Sequence, residues 1–275
     1  WLTPITNGFS RAIPLRFLPA FTEKAITKAH APQKEQVVGV EFVQWVRDQL
    51  DVAGRHLQTI LCLADGSYDK PDFWLGLPTN VVALVRTAKN RALCYLPTAY
   101  AGKGRRRVYG DPAPAPQIYL QHKDGWKTVH LTVRGHRRRM VYRVEGPFLR
   151  RTMAVVPLML ICVRGQSWTR AQRSKRRQPS FYLVNASFMD GQWQLPLPIH
   201  TLLAWAWQRW EVEVVHREVK SIFGLGDKQC FHPLAAVSSV QWSAWVYALL
   251  MLVGYRTYSL TPVPRFSAWQ RRPRR

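Results

Sequence analysis

The sequence predicts an α/β protein: a mixed sheet flanked by helices, interrupted by a basic β-strand insertion and followed by C-terminal helices. Three observations predict it. Two short, almost unbroken apolar runs at 59–65 and 80–86 flank a short helical stretch, as strands covered on both faces do. Alternating stretches studded with arginine occupy the middle of the chain, and long apolar-periodic stretches close it. With 275 residues, 47% of them hydrophobic, the chain has enough apolar surface for one large domain or two smaller ones. Disorder for want of hydrophobicity is excluded.

The elements follow in order. Residues 1–22 are apolar and punctuated by Pro4, Pro14 and Pro19, with 12–18 reading as a strand. Residues 33–50 read as an amphipathic helix, with Val37, Val40, Val43 and Val46 apolar and Lys34, Glu35 and Gln44 polar. Gly54 breaks the chain there. The run 59–65 reads as a strand ending in one acid, Asp65. Asp69, Lys70, Pro71 and Asp72 then lead into a short helix with Pro71 in its first turn. The run 80–86 is a second strand, which makes a βαβ-like unit. Between 91 and 180 lie a Gly/Arg loop (102–107), a Pro/Ala linker (112–116) and strands at 127–133, 140–144 and 153–163. A last strand is expected at 181–184 and one long helix at 198–223, ended by Gly224 and Gly226. A final apolar helix covers 234–255, and the basic tail 271–275 reads as disordered. The final helix is long enough to span a bilayer, but Ser238, Ser239, Gln241 and Ser243 interrupt it. The expectation is therefore a buried helix in a protein without a membrane.

Charge narrows the partner. Forty Lys and Arg stand against 16 Asp and Glu, a formal net charge of +24. Such a chain binds a polyanion, with nucleic acid first and an anionic membrane surface second. Clusters at Arg105, Arg106 and Arg107, at Arg137, Arg138 and Arg139, at Arg150 and Arg151, and at Lys175, Arg176 and Arg177 favour a DNA-facing strip. Cys62, Cys94, Cys162 and Cys230 are far apart and form no C-x-x-C pair, so no zinc ribbon or disulfide framework is indicated. That usage fits a reducing, cytosolic compartment. Because the first residue is Trp1, the chain reads as a fragment of a longer open reading frame.

Chemistry concentrates on 205–220. At about 100° per residue, Glu213 and Lys220 fall within about 40° of Arg209 and His216 about 20° to its other side. Glu211 falls on the opposite side. One carboxylate between two cations along a stripe suits a metal and a phosphate together; the alternative is a solvated face laced with ion pairs. Arg209-x3-Glu213-x6-Lys220, with Trp210 and the following Lys220-Ser-Ile-Phe-Gly-Leu-Gly-Asp-Lys-Gln229, resembles the Tyr-Arg-Glu-Lys signature of DDE insertion-sequence transposases. The Tyr position falls on Ala206, a departure from that signature. Leu63-Ala-Asp65-Gly-Ser-Tyr68 resembles the same family's second catalytic Asp at a strand end.

The resemblance implies a ribonuclease H-like catalytic domain. Its first part would be 1–91, a basic β insertion 92–180, its second part with the Glu helix 181–232, and a C-terminal helix and basic tail 233–275. It implies Asp65 and Glu213 as catalytic, metal-binding carboxylates, with Mg2+ or Mn2+ as cofactor, and Arg209 and Lys220 as phosphate contacts. The partners would be double-stranded transposon-end and target DNA, met by a homodimer, and the location cytoplasmic and nucleoid-associated. In-line phosphoryl transfer agrees with that set, since divalent ions on carboxylates activate a nucleophile and stabilise a leaving oxygen. The family's first Asp has no counterpart: before Asp65 stand only Asp48 and Asp51, at a helix end and a loop. Two of three carboxylates are thus expected, and weak or no catalysis by this polypeptide alone. The runner-up is a non-catalytic basic DNA-binding protein derived from a transposase. Asp69 and Asp72 read as cap or turn residues, Asp190 as a turn, and the tryptophans mostly as core. Trp205, Trp207 and Trp210 are candidates to stack on a base, and His216 is a candidate beside the stripe.

Overall fold

The computed structural model describes residues 2–4, 10–21, 32–98, 102, 105–165, 177–227, 229–230 and 232–260. In chain order come β1 (Leu2–Pro4), β2 (Ser10–Ala12), α1 (Glu35–Val52), β3 (Ile60–Ala64), α2 (Pro71–Gly76), β4 (Val81–Arg86), β5 (Leu93–Tyr95) and β6 (Pro112–Ala113). They are followed by β7 (Lys127–Val133), β8 (His136–Arg150), β9 (Met153–Val163), β10 (Ser180–Asn185), β11 (Ser187–Met189) and β12 (Gln192–Gln194). The last elements are α3 (Ile199–Gln208), α4 (Trp210–Phe223) and α5 (Pro233–Leu260). The chain divides into two compact units.

The larger unit comprises Ala20–Leu131 and Arg138–Ala206. It is built on an eight-stranded mixed sheet of order β3-β4-β10-β9-β8-β5-β6, with β7 paired to β8. The predicted βαβ unit is present: β3 and β4 are parallel, Ile60 opposite Val81 and Ala64 opposite Val85. All five residues from Val81 to Val85 are buried, whereas β3 is only half-buried beyond Ile60. Position explains the difference. β4 lies between two strands and β3 is at the edge of the sheet. The expected insertion joins this same sheet, because β10 pairs antiparallel with both β4 and β9. The core runs along β9 and β10, where Leu158, Leu160, Ile161, Cys162 and Leu183 have no exposed surface. Each such aliphatic side chain contributes about 1.5–3 kcal/mol through burial.

The smaller unit comprises Trp1–Pro19, Thr132–Arg137 and Trp207–Arg275. Here β1 and β2 form an antiparallel pair, and Ala12, Val215, Val219 and Tyr247 make a small core with α4 and α5.

Several sequence expectations are corrected. The strand expected at 12–18 is absent: β2 ends at Ala12 and 13–18 have no regular structure, since Pro14 cannot donate to a ladder. The strand at 140–144 lengthens to β8, fifteen residues, with register shifts around Gly146 and Pro147. The single helix at 198–223 is two: the ladder breaks at Arg209, whose backbone stays in the right-handed helical region. Neither Gly nor Pro marks that break. The final helix is not a buried one. Leu234–Gly254 is long and apolar enough to cross a membrane by length and composition, and only 22% of its most apolar stretch is buried. Its inner face, Ser243, Ala244, Tyr247 and Ala248, is buried within the unit, while Trp242, Trp245, Leu249 and Val253 face outward. Nor are the tryptophans mostly core: among the described residues only Trp74 is fully buried. The tail 271–275 lies outside the described residues.

Candidate functional site

Asp65 sits where the apolar run of β3 stops. Its extended backbone opens a short 3-10 turn, Gly66–Tyr68, and its Oδ1 accepts hydrogen bonds from the Ser67 N–H and the Ser67 hydroxyl, each at 2.8 Å. The carboxylate is exposed. The capping role expected of Asp69 or Asp72 therefore falls to Asp65 itself. The turn is backed by α1, where Gly39 meets the Tyr68 ring; a Cβ at 39 would lie 2.5 Å from Tyr68 Cε1. Burial first, then the nearby Glu35 and Asp65 charges, pushes the Tyr68 phenol up to about 12. Because Ala64 pairs with Val85, Asp65 and Arg86 are neighbours at the carboxyl ends of two parallel strands. Ligands of α/β sheets bind at such ends.

Asp69, four residues on, is fully buried and has a different role. Its Oδ2 is 2.6 Å from Arg91 Nε and accepts from the Thr87 hydroxyl at 2.6 Å. Its Oδ1 is 3.3 Å from Arg150 Nε and accepts from the Trp74 indole at 3.3 Å. Burial pulls the Arg150 guanidinium down from its ordinary value, Asp69 opposes that, and Arg91 adds to it. Arg150 is thus a structural residue rather than part of a basic surface. Asp72 pairs with Lys34 at 2.9 Å on the surface. Asp190 has φ +51° in the tight turn before Gly191, as its Asp-Gly sequence predicts.

In the smaller unit, α4 separates its acids by face. Glu211 has 7% of its side chain exposed, bonds to Arg134 and lies 3.8 Å from Arg11. Glu218, two turns on, accepts from the Tyr247 hydroxyl at 2.6 Å and lies 3.9 Å from Arg11. Burial, then the Glu218 hydrogen bond, pushes the Tyr247 phenol up. Glu213 has 41% of its side chain exposed and accepts from Arg209 at 2.8 Å across one turn. Lys220 is exposed on the following turns. Of the stripe drawn from a 100° helix, Arg209 and Glu213 touch, and Glu211 points inward. His216 meets Phe17 edge to face at 6.0 Å, and Trp210 is exposed.

Of the basic residues, Arg105, Arg106, Arg107, Arg137 and Arg139 are exposed. Arg107 pairs loosely with Asp111 at 3.7 Å. Arg138 and Arg177 are half-buried, and burial lowers the Arg177 guanidinium. Lys175 and Arg176 lie outside the described residues. Asp65 belongs to the larger unit and Glu213 to the smaller one. Among the described residues no three His, Cys, Asp or Glu side chains group around a common point for an ion. Each of the two carboxylates by itself suits a cation that keeps most of its waters, since each is accessible to solvent.

The Asp69 centre and the Arg11–Glu211–Glu218–Tyr247 network escape sequence reading, because their partners are distant along the chain. The one local signal was the excess of acids in Asp65–Asp72 over what one cap requires. Comparison with known proteins finds no family model that matches the chain and no curated protein that matches it.

Proposed function

We propose that the chain is a DDE-type insertion-sequence transposase with a ribonuclease H-like core, acting on DNA phosphodiesters. The observation that carries this reading is the partition of α4. Arg209 and Glu213, which resemble the family signature, pair with each other, Glu213 has 41% of its side chain exposed and Lys220 is exposed, while Glu211, outside the signature, is buried and bonded to Arg134.

In this reading Asp65 and Glu213 hold Mg2+ or Mn2+, which supplies charge stabilisation of the phosphoryl oxygens when bound. Ser67 fixes the rotamer of Asp65 by bonding one oxygen, so the carboxylate meets an incoming cation already oriented. Arg209 holds Glu213 in place and, with Lys220, offers charge to a strand phosphate. The exposed Arg105, Arg106, Arg107, Arg137 and Arg139 add affinity for the backbone without base reading.

Cleavage and strand transfer on transposon-end duplex with Mg2+ test the reading. The expected result is little or no turnover by this chain alone, with DNA binding retained. Any Mg2+-dependent cleavage is expected to disappear in Glu213→Ala and Asp65→Ala. Cleavage that survives Glu213→Ala would overturn the site assignment.

A further inference from the structure

We propose that a second phosphate-binding site, Arg86 with Lys89, sits at the carboxyl end of β4 and holds the backbone of a nucleic-acid strand beside Asp65; this rests on the DNA reading above. A cavity of about 530 Å3 opens there, lined by Arg86, Lys89, Gln117, Gln178, Ser180 and Phe181 among others. That volume is within the range of roughly 300–1,000 Å3 that takes a small ligand, and exceeds what a lone phosphate needs. The larger space suits a phosphate with its attached sugar.

The frame of the cavity is fixed by backbone bonds. Thr87 N–H donates to the Phe181 carbonyl at 2.9 Å, and Gln117 N–H to the Lys89 carbonyl at 2.9 Å. Arg86 and Lys89 are exposed, and neither has an ion pair among the described residues. No carboxylate lines the cavity. The nearest buried acid, Asp69, is reached through Thr87 and is already engaged by Arg91 and Arg150, so it does not neutralise the two cations. A guanidinium fork, an ammonium, two primary amides and a hydroxyl are together the donors that phosphodiester oxygens accept. The parallel register puts Arg86 next to Asp65, so a strand held here passes the carboxylate assigned to the metal.

The test compares Arg86→Gln/Lys89→Gln with Arg55→Gln/Lys123→Gln, which removes the same charge from exposed positions of the same unit. Two probes are used on the full chain: a labelled oligonucleotide by anisotropy across a salt series, and inorganic pyrophosphate by calorimetry. The cavity pair is expected to lose about tenfold in oligonucleotide affinity and about 2 in the slope of log K against log salt. It is also expected to lose pyrophosphate binding, which the control pair retains. Equal losses in both pairs, or none in either, overturn the site. Pyrophosphate binding that depends on Arg86 and Lys89, with no oligonucleotide bound by any form, supports the phosphate site and overturns the DNA reading.

Discussion

Asp69 is the charged residue on which the larger unit most depends. Its carboxylate has no exposed surface and neutralises Arg91 and Arg150 while accepting from Thr87 and Trp74. Removing one partner of such a set leaves buried charge uncompensated, at a cost of about 3–5 kcal/mol. Asp69→Ala is therefore expected to lose that much in urea unfolding, whereas Asp72→Ala, on the surface, is expected to lose less than about 1 kcal/mol. Equal effects would contradict the assignment. Cys162 gives a second residue-level prediction. Burial, with Glu145 adding and Arg143 opposing, pushes its thiol from 9.0 to about 12. A folded-state value raised this way keeps the proton in the native chain while the unfolded chain releases it. Stability is thus whole below pH 9 and falls as pH rises towards 12, by about 1.4 kcal/mol per unit for this group. Cys162→Ala is expected to flatten the fall between pH 9 and 10.5 by that amount. A slope unchanged by the substitution would contradict it. Neither residue was legible beforehand. Asp65 and Asp69 stand in one short motif, and which of them is buried depends on Arg150, 81 positions away.

At the scale of elements, α4 carries stability on one face and the proposed chemistry on another. Glu211→Ala breaks the contacts with Arg134 and Arg11 and is expected to cost about 1–3 kcal/mol, reduced because Arg134 is partly exposed. Glu213→Ala, on an exposed i,i+4 pair, is expected to change stability by less than about 0.5 kcal/mol. Denaturant unfolding of the two variants checks the pair, and a larger loss at Glu213 would contradict the facial partition. This partition was readable from the sequence, because helical rotation alone separates Glu211 from Glu213. The parallel strands β3 and β4 were readable too, as apolar runs around Pro71. The break at Arg209 was not, since no Gly, Pro or capping side chain marks it. The edge position of β3 was equally hidden, because neighbours in a sheet are chosen by long-range pairing.

On the whole molecule, the +24 charge and the apolar outer face of α5 pull towards different surroundings. The inner face of α5 ties it to α4 through Tyr247 and Glu218, and Ser238, Ser239, Gln241 and Ser243 make a lipid environment costly. The chain is therefore expected to be recovered in buffer without detergent. Extraction only with detergent would contradict that. The sequence showed the apolar count of this helix but not how it is covered, since burial depends on packing rather than on composition. Nor did it show that the Arg-studded strands share one sheet with β4; the pairing of β10 with both β4 and β9 decides it. The central proposal is that Asp65 and Glu213 are metal-binding carboxylates. Iron(II) with ascorbate and peroxide cuts a polypeptide beside the places where it replaces Mg2+. The account predicts Mg2+-sensitive cuts next to Asp65 and next to Glu213, the first lost in Asp65→Asn and the second in Glu213→Gln. A cut at Asp65 that persists in Asp65→Asn, a cut at Glu213 that persists in Glu213→Gln, or the lack of any Mg2+-sensitive cut at either residue, would contradict it.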